Sequence, residues 1–226
     1  MSMVRRQRSS KLRVALFGGS FDPVTSSHLK MAAEVIHAGA ADEVWLVPCG
    51  ARVDKPELLP AKDRYTMCQI AVTNTFSSNF PIHVCDEEVY LTTGSLKTPT
   101  LIDNLGKAHP NIEFSFMLGS NLLKELNDWD DAHPEWWRDV PLIVVPKSGY
   151  PVPKEYVELD NVFIVGNHDL PGGGTLVTSD VQSRLVRNRM AGLAGGVQDD
   201  GGWCIQGLVP IAVNSYIQRY HLYREK

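Results

Sequence analysis

The chain has 226 residues, 43% of them hydrophobic, and a formal net charge of −4, the composition of an ordinary soluble globular protein that buries its own core. Five bases (Arg5, Arg6, Arg8, Lys11 and Arg13) precede the first acid, Asp22, so the rest of the chain is decidedly acidic, which excludes broad nucleic-acid binding. Cys49, Cys68, Cys85 and Cys204 form no CxxC pair, excluding a zinc-ligand set or disulfide framework.

Strand-like and helix-like segments alternate along the chain. Leu12 to Phe17 is a short apolar run ended by Gly18-Gly19, a buried strand stopped by a turn. His28 to Ala38 carries Leu29, Ala32, Ala33 and Ile36 on one helical face. Glu43 to Pro48 is the next strand, and Pro60 opens a helix through Ala71, proline being acceptable in a first turn. Ile82 to Cys85 reads as a strand and Thr100 to Ala108 as a helix. Ile112 to Leu118, Pro141 to Val145 and Asn161 to Val165 are further strands. Two helices follow, near Asp180 to Leu193 and Pro210 to Tyr220. Loops rich in Pro or Gly fall at Pro146 to Pro153, Pro171 to Gly174 and Gly195 to Gly202. Continuous apolar strands alternating with helices predict an α/β fold, a doubly wound parallel sheet covered on both faces. The domain is expected over residues 12–226, after a basic leader over 1–11.

No apolar run approaches the roughly 18 residues of a membrane span, and the N-terminus lacks the apolar stretch of a secretory signal. The expectation is an intracellular soluble protein of cytoplasm or nucleus, with no membrane or nucleic-acid partner. The leader Arg5 to Lys11 reads as a disordered leader, a nuclear signal or a transit peptide.

In a doubly wound sheet ligands bind beyond the carboxyl ends of the strands, where the winding reverses. After the first strand comes Gly18-Gly19-Ser20-Phe21-Asp22-Pro23-Val24-Thr25-Ser26-Ser27-His28. It is neither a Walker loop nor a GxGxxG fingerprint. Glycines let the backbone approach a ligand, and free amides at a helix start favour an anion. Thr25 and His28, three apart, share a face of that helix start and would hold a phosphate chain. The plainer alternative is an N-capping Thr25 with an incidental histidine.

This string resembles the GxFxPxTxxH or HxGH signature of the nucleotidyltransferase superfamily. In the form GSFDPVTSSHLKM it is most similar to nicotinamide or nicotinate mononucleotide adenylyltransferases of the eukaryotic type. Lys55 to Arg64 (KPELLPAKDR), Gly119 to Trp129 (GSNLLKELNDW), Thr178 to Arg184 (TSDVQSR) and Leu208 to Tyr223 (LVPIAVNSYIQRYHLY) resemble further elements of that family, in order.

The resemblance implies a Rossmann-like nucleotidyltransferase fold. It also implies transfer of the adenylyl group of ATP to nicotinamide mononucleotide, with nicotinate mononucleotide as a secondary acceptor, giving NAD or its deamido form and pyrophosphate. The 5′-phosphate attacks the α-phosphorus directly, chemistry that needs alignment and charge stabilisation more than a nucleophile. Magnesium is implied by the triphosphate and leans on phosphates and water, so no protein metal ligand is assigned. A homo-oligomer is implied because the family is mostly oligomeric. Rival readings are adenylyl or cytidylyl transfer to another phosphate acceptor, or a non-catalytic nucleotide-binding or chaperone-like relative.

The site residues follow from the same resemblance. His28 and Arg184 are the candidate catalytic residues. Gly18, Gly19, Ser20 and Phe21 line the floor between two nucleotides; Thr25, Gly119, Asn121 and Ser179 complete the ATP side. Ser20, Phe21, Lys55, Thr98, Thr100 and Trp129 face the mononucleotide, Trp129 stacking on its pyridine ring, with Trp136 and Trp137 as competitors. Ser179 is read as capping the helix that carries Arg184, where a cation opposes the helix dipole unless an anion binds there. The alternative is that Arg184, Arg187 and Arg189 form a plain basic helix face. Asn121 stands where the family has an aspartate, Asp180 and Val181 replace a Ser-Thr pair, and Lys97 replaces a tryptophan of the animal enzymes.

Overall fold

Six runs of β-branched and large apolar residues form the strands of the computed structural model, which describes residues 10–91, 94–130, 132–166, 169–192 and 202–224. They are β1 (Leu12–Gly19), β2 (Glu43–Pro48), β3 (Ile82–Val84), β4 (Ile112–Gly119), β5 (Leu142–Val145) and β6 (Val162–Ile164). All pair in parallel, in the order β3-β2-β1-β4-β5-β6. This is the expected doubly wound α/β sheet, with its winding reversed between β1 and β4. The basic leader up to residue 9 and residues 193–201 of the Gly-rich loop lie outside the described residues.

The helices are α1 (Ser26–His37), α2 (Ala61–Thr75), α3 (Thr98–Ala108), α4 (Lys154–Val157), α5 (Ser183–Met190) and α6 (Ile211–Arg219). One face of the sheet, with Phe17 and Leu46, packs on α1, α2, α5 and α6 through Leu29, Met67, Val186 and Ile217. The other, with Leu16 and Phe116, packs on α3 through Leu105 and on Leu123, Leu126, Trp136 and Tyr156. Each fully buried aliphatic side chain contributes about 2 kcal/mol of transfer free energy. Among the described residues no helix is long and apolar enough to cross a membrane.

Ser120–Trp129, matched above only as a string, is a 3₁₀ segment that buries Leu123 and Leu126. One local reading needs correction: α5 starts at Ser183, with Gln182 at the N-cap position, rather than near Asp180. Ser179 and Asp180 therefore do not cap it. The preceding stretch is held against α1 instead: Val177 N–H donates to Glu34 Oε2 at 3.2 Å, Ser27 Oγ donates to the Ser179 carbonyl, and Thr25 Oγ1 donates to the Val181 carbonyl at 3.1 Å. Partners more than 140 residues away in sequence delay the helix.

Candidate active site

The crevice at the switch point is visible in the register. β1 stays paired with β2 to its last residue, Gly19 opposite Pro48, whereas its pairing with β4 stops at Leu16 opposite Phe116. β4 in turn stays paired with β5 to Gly119 opposite Val145. The two central strands thus part company before Gly18-Gly19 and Gly119, which is where a doubly wound sheet opens its crevice. Glycine lets side chains close in on its walls. A Cβ on Gly18 would stand 3.0 Å from the Phe116 ring, and one on Gly119 only 2.6 Å from Asn121 Oδ1 and 3.0 Å from Lys147 Cδ.

Below this floor Phe21 turns inward. It is 2% exposed, with its ring edge-on to Phe17 and to His28 and a left-handed φ of 46° that this packing holds in place. Its side chain supports His28, and only its backbone remains for a ligand. Asp22 is wholly buried. Tyr223 Oη donates to its Oδ1 at 2.7 Å, and its Oδ2 has no hydrogen bond among the described residues. Burial raises this carboxyl above its ordinary range, against the opposing pull of Tyr223 and Arg187.

Thr25 is the N-cap of α1, and His28, at the third helical position, completes a capping box with it. The Thr25 N–H donates to Nδ1 of His28 at 3.0 Å. A backbone N–H only donates, so Nδ1 is bare and the ring's proton sits on Nε2, turned away from Thr25. Burial, aided by the positive charge of Lys147, pushes His28 down to about 4. The ring is thus a neutral donor at physiological pH. Capping and ligand chemistry, posed as alternatives by the sequence, are compatible: one nitrogen caps and the other remains available.

Lys147 was not singled out from the sequence. It follows β5, its backbone N–H donates to Ser120 Oγ at 2.9 Å, and its stem lies over Gly119. Burial lowers its ammonium below the ordinary lysine range, with Asp180 acting oppositely. A charged residue just beyond β5, the strand next to β4, was the available signal. Asp180, which replaces a hydroxyl residue of the family, sits where its charge meets this lysine.

Arg64 was also passed over, as the last letter of a motif. It shares the stripe of Met67, Cys68 and Ala71 on α2 and is 1% exposed. Its guanidinium donates to the carbonyls of Ser20 at 2.7 Å, Cys49 at 2.6 Å, Gly50 at 3.0 Å and Leu59 at 2.8 Å. It welds the loop after β1 to the loop after β2. An arginine at i, with apolar residues at i+3, i+4 and i+7, was the sign of it.

The three arginines of α5 divide sharply. Arg187 Nη1 donates to the Asp22 carbonyl at 2.7 Å and lies 3.9 Å from Asp22 Oδ2. Arg189 Nη1 donates to the Cys204 carbonyl at 2.7 Å. Arg184, in the first turn, is exposed. A plain basic face is not what the helix presents: two arginines anchor it, while Arg184 projects where an anion would offset its opposition to the dipole.

On the mononucleotide side Lys55 is partly exposed in the loop after β2, where Arg52 is engaged with Asp54 at 2.6 Å. Thr98 is the first residue of α3, with Pro99 and Thr100 in the same turn. Of the competing tryptophans, Trp136 and Trp137 are 5% and 4% exposed and use their indole N–H groups on Leu126 and Asn127. Trp129 is only partly buried; it stacks on Trp136 at 6.1 Å and meets Phe116 edge-on. It is the one of the three with ring surface to offer a ligand. Lys97, the N-cap of α3, joins this wall to the α3 start by donating to Asp130 Oδ1 at 2.7 Å. A separate surface cavity of about 480 Å³, lined by Glu43, Trp45, His83, Cys85 and His109, lies at the β2–β3 edge, away from the switch point.

A family described as cytidylyltransferase-like matches residues 16–169, more than half of the chain. The chain belongs to that family. Within it, the chain is 30% identical over 215 residues to a probable nicotinate-nucleotide adenylyltransferase of Anaeromyxobacter dehalogenans, covering 93% of this chain and 96% of the relative. It is 31% identical over 223 residues to a protein of the same description from Dehalococcoides mccartyi, covering 95% and 98%. Among solved structures, the Plasmodium falciparum nicotinic acid mononucleotide adenylyltransferase complexed with NaAD superposes with a TM-score of 0.73, at 21% identity over 94% of this chain and 97% of that one. These matches correct one expectation. The bacterial nicotinate-nucleotide enzymes, rather than the eukaryotic type, are what this cytidylyltransferase-like chain is shown to resemble along its whole length. The GSFDP string and the LVP tail are the segments that had pointed toward the eukaryotic type.

Proposed function

We propose that this cytidylyltransferase-like protein is a nicotinate-nucleotide adenylyltransferase, joining ATP to nicotinate mononucleotide to give the deamido form of NAD and pyrophosphate. The observation that carries the reading is the switch-point crevice, where a neutral His28 with its proton on Nε2 stands within the field of Lys147. The names of the full-length relatives support the acid substrate. The nicotinamide form expected from the sequence is the second reading, since both mononucleotides present the same reacting phosphate.

In the reaction a 5′-phosphate oxygen of the mononucleotide bonds to the α-phosphorus of ATP as the bond from that phosphorus to the β-phosphate bridge breaks, releasing pyrophosphate. Negative charge shifts toward the leaving oxygens. His28 Nε2–H, the Lys147 ammonium and Arg184 are the donors that meet it in this reading. Gly18-Gly19, Ser20 and the Phe21 backbone form the floor on which both nucleotides lie, with Thr25 fixing His28, Gly119 and Asn121 on the ATP wall, and Ser179 tied to α1 beside it. Lys55 meets the mononucleotide phosphate; Thr98, Thr100 and Trp129 meet its ring. Magnesium would arrive on the triphosphate and supply charge neutralisation there. Among the described residues no group of three His, Cys, Asp or Glu side chains is built to hold a metal by itself. A homo-oligomer, and a folded domain over 12–226 behind a basic leader, belong to the same reading.

The test is to supply purified protein with ATP, magnesium and each mononucleotide in turn, identifying dinucleotide and pyrophosphate. Deamido-NAD and pyrophosphate in equal amounts support the reading. Pyrophosphate release only with a different phosphate acceptor would move the function to a sister transferase.

A further inference from the structure

The acid and amide forms of the mononucleotide have the same outline and differ by one charge, so a pocket separates them by electrostatics rather than by shape. The wall beside Trp129 carries two opposite charges in direct contact. Lys97 Nζ donates to Asp130 Oδ1 at 2.7 Å, and Asp130 directly follows Trp129 while Lys97 directly precedes Thr98. The pair therefore spans the two elements that hold the proposed ring-binding residues.

Its members are unequal. Asp130 is 6% exposed, and its Oδ1 also accepts the Ala132 N–H at 3.1 Å, so its carboxylate is fixed in the wall. The Lys97 side chain is 48% exposed, and an ammonium has three N–H donors, of which the contact with Asp130 uses one. Left alone, Asp130 would present a fixed negative charge to any carboxylate on the ring. Lys97 cancels it and leaves donors to spare.

We infer that Lys97 is the specificity-determining cation of the pyridine pocket, neutralising Asp130 so that a ring carboxylate is accepted in preference to a carboxamide. The inference rests on the adenylyltransferase reading above. It assigns a role to a position where the animal enzymes carry an aromatic residue.

The experiment compares kcat/KM for nicotinate and nicotinamide mononucleotides at saturating ATP and magnesium in three proteins: wild type, Lys97→Met and Asp130→Asn. Wild type is expected to favour the acid. Lys97→Met is expected to lower the acid-to-amide ratio by about tenfold, the scale of one partly screened charge near a binding group. Asp130→Asn is expected to raise the ratio, an opposite sign that a purely structural pair would not produce. Should Lys97→Met fail to fold, Lys97→Gln keeps a donor for Asp130 without the charge and carries the same expectation. A wild type that favours the amide overturns the inference. So does a ratio that stays constant in the Lys97 variants while both activities fall together. A wild type that turns over neither mononucleotide overturns the site reading itself, and is distinguished from an active enzyme whose ratio does not move.

Discussion

The backbone N–H of Thr25 donates to Nδ1 of His28 at 3.0 Å, and this one bond sets both the charge and the aim of the ring. Protonating Nδ1 would set its proton against the Thr25 N–H, so the ring stays neutral and offers Nε2–H. With His28 pushed down from 6.5 to about 4, kcat/KM should show no acid limb at pH 6.5 that His28 accounts for; its limb belongs near pH 4. The stability effect has a definite sign. Between about 4 and 6.5 the unfolded chain binds a proton on this ring that the folded chain does not, so this group makes stability rise with pH in that window and leaves it flat above. An activity limb at 6.5 that moves with substitution of His28 would contradict the assignment.

Lys147→Ala should move His28 back up, since the positive charge beside the ring is one of the two causes holding it down. Burial, the larger cause, remains, so the return toward 6.5 is partial. A histidine NMR titration reads the shift, and the same variant should lose about tenfold or more in kcat if the ammonium meets developing charge. A His28 titration unchanged in Lys147→Ala would separate the two residues.

Arg184 and Arg187 should respond oppositely to truncation. Arg184→Ala removes a cation opposing the α5 dipole from an exposed position, so stability should hold or rise by about 0.5 kcal/mol while kcat/KM falls about 100-fold. Arg187→Ala removes a charged donor from the Asp22 carbonyl and the cation nearest a buried carboxylate. It should cost about 2 kcal/mol in denaturant unfolding. Equal stability losses in the two would refute the division of labour along α5.

Trp129→Ala and Trp136→Ala make a similar contrast. Trp136 is a buried core residue, and its truncation should destabilise by about 3–5 kcal/mol. Trp129, half-open, should cost less stability and raise KM for the mononucleotide without altering KM for ATP. A Trp129 variant with unchanged mononucleotide KM would leave the indole a packing group.

What was legible in the sequence was local. EVWLVP is strand β2 over Glu43–Pro48, as read, because a continuous apolar run bounded by turns has few alternatives. The switch-point string was found for the same reason: glycines, a cap and a helix start follow a strand without interruption. The start of α5 was misplaced because Ser27, Thr25 and Glu34, distant in sequence, hold residues 177–181 outside the helix; no periodicity within that segment records them. Lys147 and Arg64 escaped because single charged residues usually face solvent. Only the assembled sheet brings Lys147 to Gly119 and threads Arg64 under Ser20. Lys97 was noticed as a departure, but its partner Asp130, 33 residues on, required the fold.

The central claim is that adenylyl transfer takes place in the crevice between β1 and β4. Its most direct measurement is single-turnover pyrophosphate release from bound ATP and nicotinate mononucleotide, in wild type and in folded His28→Ala. Wild type is expected to give one pyrophosphate and one deamido-NAD per site, with the chemical step slowed about 100–1,000-fold in the variant while ATP still binds. Unchanged release in His28→Ala, or tight ATP binding with no release from wild type, would contradict it.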